Sequence, residues 1–183
     1  MSETFSIDPS HSSIGFAVKH MMITTVRGQF REFGGTVELP DGGDTTKAQA
    51  EFTIKTASID TGVGPRDEHL RSGDFFDAAK HPELRYRSSH IESLGGGRYR
   101  ADGELTMRGE TRPVSLEVEV GERVRDPWGN ERVGLSARGK LNRKEWGLNW
   151  NQGLETGGVL VSDEVKLEVE AALVHSLAEQ AAA

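Results

Sequence analysis

Apolar and polar residues alternate along almost the whole chain. That period of two sends successive side chains to opposite faces of a β-strand. The clearest run is Arg112–Gly121, where Val114, Leu116, Val118 and Val120 share one face and Glu117 and Glu119 the other. Arg132–Leu141 repeats it with Val133, Leu135, Ala137, Gly139 and Leu141, and Asp163–Val174 with Val165, Leu167, Val169, Ala171 and Leu173. Ser12–Lys19, Lys47–Thr56 and Arg98–Met107 are further strands, and Thr36–Leu39 and Glu83–Ile91 are weaker ones. In the last of these Leu84 and Tyr86 are out of phase with Ile91, which predicts a β-bulge near Ser88-Ser89.

Turn residues separate the runs at hairpin spacing: Pro40-Asp-Gly-Gly43, Gly95-Gly-Gly97, Arg108-Gly-Glu110 and Asp126-Pro-Trp-Gly-Asn130. Hairpins pair strands antiparallel. About eight strands with one polar face predict an all-β protein, a sandwich or a closed barrel. The stretch 60–82 is too long for a hairpin. Within it, Pro65–Arg71 opens on proline and two early acids, and predicts a short helix. Residues 1–175 form one barrel domain on this pattern, and 176–183 a flexible tail.

The inward faces are unusual in size. Ala48, Ala50, Ala101, Gly103, Ala137, Gly139 and Ala171 all fall on apolar faces. An eight-stranded barrel is either filled by side chains or wide enough for one small ligand, so small inward residues predict a hollow centre. Small residues also let strands bend and coil, which is their other common use. A lumen without polar anchors suits an elongated hydrocarbon, because burial contributes ~0.8 kcal/mol per methylene.

Composition narrows the class. The 183 residues carry 29 acids against 22 bases, a formal charge of -7, which disfavours nucleic acid as a partner. No cysteine is present, which excludes disulfides, a thiolate nucleophile and sulfur-ligated metals. There is no run of ~18 apolar residues and no leader-like start, so the expectation is a cytoplasmic protein without a membrane span.

Five segments in order carry a resemblance. They are Phe5-Ser-Ile-Asp-Pro-Ser-His-Ser-Ser-Ile-Gly-Phe-Ala-Val-Lys-His20; Thr25-Val-Arg-Gly-Gln-Phe30; Arg66-Asp-Glu-His-Leu-Arg-Ser-Gly-Asp-Phe-Phe-Asp77 with Lys80-His-Pro82; Gly103-Glu-Leu-Thr-Met-Arg-Gly109 with Thr111-Arg-Pro-Val114; and Asn142-Arg-Lys-Glu-Trp-Gly147. Over roughly Thr4–Leu173 the chain resembles the YceI-like family of lipid-binding proteins. The resemblance implies an extended lipocalin-like antiparallel barrel with a polyisoprenoid chain, such as a prenylated quinone, in its core. It also suggests a homodimer.

The expected ligand-binding residues are Ile14, Phe16, Val18, Met22, Phe30, Phe52, Ile54 and Leu70, then Phe75, Phe76, Tyr86, Leu105, Leu116, Leu135, Ala137 and Trp146. No cofactor beyond the lipid, no metal and no catalytic residue is expected. An alternative uses His11, His20 or His81 as metal ligands or acid–base groups at the barrel mouth. Against it, the chain has no His-Glu-x-x-His pattern and no His-x-x-x-His pair on its expected helix.

Overall fold

The computed structural model describes residues 2–176. Eleven strands form one antiparallel sheet: β1 (Glu3–Ile7), β2 (Ser13–His20), β3 (Thr24–Phe30), β4 (Phe33–Leu39), β5 (Gln49–Lys55), β6 (Ile59–Asp60), β7 (Glu83–Gly95), β8 (Arg98–Met107), β9 (Glu110–Arg125), β10 (Glu131–Asn142) and β11 (Val161–His175). The order β1-β4-β5-β7-β8-β9-β10-β11 closes on itself through β1 and β11. The result is a closed eight-stranded barrel, with β2, β3 and β6 continuing the sheet from β11.

The closure divides one strand edge between two partners. β11 pairs with β2 from Val161 to Glu170, then with β1 at Leu173 and Val174. β1, β3 and β6 were not expected as strands. Each is short, and β3 carries only Val26 and Phe30 as large apolar residues, with Gly28 between them. The bulge in β7 lies where the phase break put it, as a register shift between Ser88 and His90 that returns Ile91 to the inner face.

The expected helix is α1 (Gly64–Arg71). Buried Asp67 fastens it by accepting from the backbone N–H and hydroxyl of Thr61, at 2.9 and 2.6 Å. Arg108 then donates to the carbonyls of Gly147 and Gly73, tying the β8–β9 turn to the segment after α1. One barrel end is therefore capped by α1, Phe75 and the stretch Arg143–Leu148. Its core contains Ile59, Phe75, Leu84, Trp146 and Leu148, all buried.

The opposite end carries the β4–β5 loop and the β7–β8 and β9–β10 turns. Phe5, Ile7, Leu39, Ala48, Ala171 and Leu173 form its core. Arg132 holds it together, donating to Asp8 at 3.0 Å and to Asp126 at 2.8 Å. Asp126 also accepts from the backbone N–H groups of Trp128 and Asn130, which fixes the β9–β10 turn. β11 extends through His175, and the expected tail beyond Ser176 lies outside the described residues. No helix among the described residues is long and apolar enough to cross a membrane.

Candidate functional site: an apolar lumen

A cavity of 590 Å³ runs inside the barrel from Leu70, Phe75, Phe76 and Leu148 at the capped end to Gly43, Thr45 and Gly97 at the other. Its walls are the inward residues of the alternation. β2 supplies Ile14, Phe16 and Val18, β3 Phe30, β5 Phe52 and Ile54, and β7 Tyr86. β8 adds Leu105, β9 Leu116, and β10 Leu135 and Ala137. Each of these was expected at the site, as were Leu70, Phe75 and Phe76.

Two expected residues are elsewhere. Met22 is 65% exposed. Its position has the parity of Ile14, Phe16 and Val18, but the chain reverses at Met21-Met22 before that parity can apply. Both residues have positive φ, 52° and 59°, and Ile23 donates back to the His20 carbonyl, so Met22 sits on a tight hairpin tip beyond the barrel. Trp146 is buried but outside the lumen wall. Its Nε1–H donates to the Leu105 carbonyl at 2.8 Å, which turns the indole into the packed cap. Asn142 positions this turn by accepting from the Lys144 N–H, and Gly147 ends it at φ 78°.

The small inward residues divide into two kinds. Ala48, Ala50, Ala101, Ala137 and Ala171 face the lumen directly and leave it wide. Gly103 and Gly139 are covered instead. The Tyr86 ring lies across Gly103, and the Leu116 side chain across Gly139; a Cβ added there would come within 2.6 Å of Tyr86 Oη and 2.7 Å of Leu116 Cδ2. Phe16 lies over Gly28 and Phe52 over Gly35 in the same manner, each directly opposite its glycine in the strand register. Four bulky side chains are thus laid along the wall rather than across the bore. Sequence alternation shows that these residues face inward, but only the register between strands shows where the glycines receive them.

Polar groups on the wall are few. The Tyr86 hydroxyl is buried with no hydrogen-bond partner among the described residues, and burial pushes its pKa up to about 12, so it stays protonated. Ser88 accepts from the Ala50 N–H at 2.9 Å. Arg143 was not expected here, and only 4% of it is exposed. Its guanidinium donates to the carbonyls of Ser162, Leu148, Trp150 and Val161, bracing the loop that crosses the capped end. Burial lowers its pKa and Asp163 opposes that shift, yet a guanidinium remains charged. At the other end Arg123 lies over the Phe5 ring and is held by Glu3 and Glu131.

The histidines do not assemble. His11 is exposed and contacts Asp8 at 2.9 Å, His20 ends β2 opposite Val161, and His81 packs beside Gly109 on the β8–β9 turn. Among the described residues no three His, Asp or Glu side chains are grouped as metal ligands would be.

A family model, the YceI-like domain, matches residues 5–173. The chain belongs to the YceI-like family. A UPF0312 protein of Staphylococcus epidermidis is 36% identical over 168 residues, which span 91% of this chain and 95% of that protein. A UPF0312 protein of Staphylococcus aureus is 35% identical over the same shares. Among solved structures, Burkholderia cenocepacia BcnA superposes with a TM-score of 0.79 at 25% identity, covering 93% of this chain and 99% of that one. The YceI protein of Campylobacter jejuni gives 0.74 at 26% identity, over 86% and 90%. A polyisoprenoid-binding domain from Saccharophagus degradans, 15% identical, shares the fold with a TM-score of 0.66 over 94% of this chain and 98% of its own. In this chain the YceI-like barrel is the one whose lumen is described above.

Proposed function

We propose that the protein is a non-catalytic carrier holding one long isoprenoid chain, for example that of a prenylated quinone, in the barrel lumen. The observation that carries this is the continuous apolar cavity inside a closed barrel. If each carbon group takes about the ~30 Å³ share of a liquid water molecule, 590 Å³ holds on the order of twenty of them, roughly four isoprene units. At ~0.8 kcal/mol per buried carbon group the gross gain is roughly 16 kcal/mol. Lost translational and rotational freedom offsets on the order of 4–15 kcal/mol of this, and ordering the chain's rotatable bonds offsets more, so apolar burial along the whole chain is what binding rests on. The likeness to a domain described as polyisoprenoid-binding supports the same ligand class.

The test is direct. Protein purified without detergent and extracted with organic solvent should release a hydrophobic chain at close to one molecule per barrel, identified by mass spectrometry. Protein that yields none, and that also fails to take up an added isoprenoid alcohol, would overturn the proposal.

A further inference from the structure

Glycine inside a strand weakens it, because it has most conformational freedom to lose and no side chain to pack. Gly28 is in the middle of β3, its φ is not in the left-handed region, and its backbone is open to any residue. What it lacks is room for a Cβ. The three atoms nearest to that Cβ all belong to the far edge of the Phe16 ring, with Cε1 at 2.9 Å and Cε2 at 3.0 Å.

The other covered glycines differ. A Cβ on Gly35 would lie 2.5 Å from the Glu51 carbonyl oxygen, one on Gly103 2.6 Å from that of Arg87, and one on Gly139 2.9 Å from that of Ser115. Backbone approach demands glycine at those three positions. At Gly28 the seat for the ring demands it.

We infer that Gly28 sets the bore of the lumen and thereby lets it admit a methyl-branched chain. The inference rests on the carrier reading above and adds to it the residue that selects chain width. With a methyl at position 28, Phe16 must retreat by about 1 Å to restore ordinary carbon contacts of ~3.5 Å. Phe30 packs against one side of the ring, 5.8 Å between centroids, and the ring borders the lumen, so lifting it off β3 carries it further into the bore. The lifted ring then obstructs a chain bearing side methyls more than a straight one.

The experiment compares two alcohols of equal carbon number, the isoprenoid geranylgeraniol and the straight-chain eicosan-1-ol. Binding is measured by titration calorimetry on lipid-free full-length protein. Gly28→Ala should lose about tenfold in affinity for geranylgeraniol while losing much less for eicosan-1-ol; a tenfold change corresponds to ~1.4 kcal/mol. The double variant Phe16→Ala/Gly28→Ala should recover geranylgeraniol binding, because the obstructing ring is gone. Unchanged geranylgeraniol binding in Gly28→Ala overturns the inference. So does an equal loss for both alcohols, or a loss that the double variant fails to restore. Wild-type protein that binds neither alcohol overturns the carrier proposal itself, whereas wild-type binding with an unresponsive Gly28→Ala overturns only the role of Gly28.

Discussion

Replacing Ala137 by leucine tests whether the barrel is hollow by the sign of a stability change. Ala137 is buried on β10, between Val118 of β9 and Val169 of β11 in register, and all three line the lumen. Leucine adds three carbons to that wall. In a packed interior such overpacking costs about 1–3 kcal/mol. Beside an unfilled 590 Å³ the added carbons are buried without displacing a neighbour, for a gain of roughly 2.4 kcal/mol at ~0.8 kcal/mol each. Lost rotamer freedom removes about 0.5–1 kcal/mol, so lipid-free Ala137→Leu should be about 1–2 kcal/mol more stable than wild type. In the presence of a saturating isoprenoid alcohol the order should narrow or reverse, because ligand at a hundredfold excess over its Kd stabilises the wild type by ~2.7 kcal/mol and the variant by less. Urea unfolding with and without the alcohol gives both numbers. Destabilisation of the lipid-free variant by 1 kcal/mol or more would refute the hollow-barrel reasoning.

Arg143→Met should lower stability by about 3 kcal/mol in urea unfolding, because it leaves carbonyls that the guanidinium now satisfies unpaired inside the capped end. Trp146→Phe keeps an aromatic ring but loses the pyrrole half of the buried indole and its bond to the Leu105 carbonyl, and should cost about 2–3 kcal/mol by the same assay with the fold intact by circular dichroism. The third outcome depends on pH. Hydrogen bonds from Arg132 and the 128–130 backbone hold Asp126 down to about 2, and those from Ser10, His11 and Arg132 hold Asp8 well below the usual carboxylate range. Their stabilisation is therefore fully present above the unfolded carboxylate value near ~3.9 and is lost as pH falls through the folded values. Thermal melts from pH 5 down to 2 should show Asp126→Asn with a shallower acid loss than wild type, and an identical slope would contradict it.

The barrel was legible in the sequence because strands buried on one face alternate; six of the eleven do so plainly and two more weakly. Most of the lumen wall followed, since inward parity is a property of each strand alone. The exceptions occur where parity ends. Met22 lies past the last residue of β2, at a reversal its own side chain does nothing to announce: two successive methionines occupy the positive φ normally left to glycine or asparagine. Trp146 is in a 3-10 turn, where a period of two has no meaning, and its position is fixed by a carbonyl forty-one residues away in sequence. Arg143 was unreadable for a related reason. A charged residue beside a strand end gives no sign that four carbonyls, two from the following loop and two from the start of β11, will converge on it.

The glycines mark the deeper limit and explain how so modest an apolar content, 35% of the chain, folds around a void. Gly28 and Phe16 are twelve positions apart and become one unit only when β2 and β3 pair in register. Once paired, the ring covers the glycine and contributes buried area to the wall without crossing the lumen. Packing that would hold a solid core together is moved to the two ends: Trp146, Ile59 and Phe75 fill the capped end, and Phe5, Ile7 and Leu173 the other, where Arg132 ties the β1–β2 connection to the β9–β10 turn. A barrel fastened at both ends can leave its middle unfilled. The middle is then the part that substitutions such as Ala137→Leu and Gly28→Ala can alter without loosening either end.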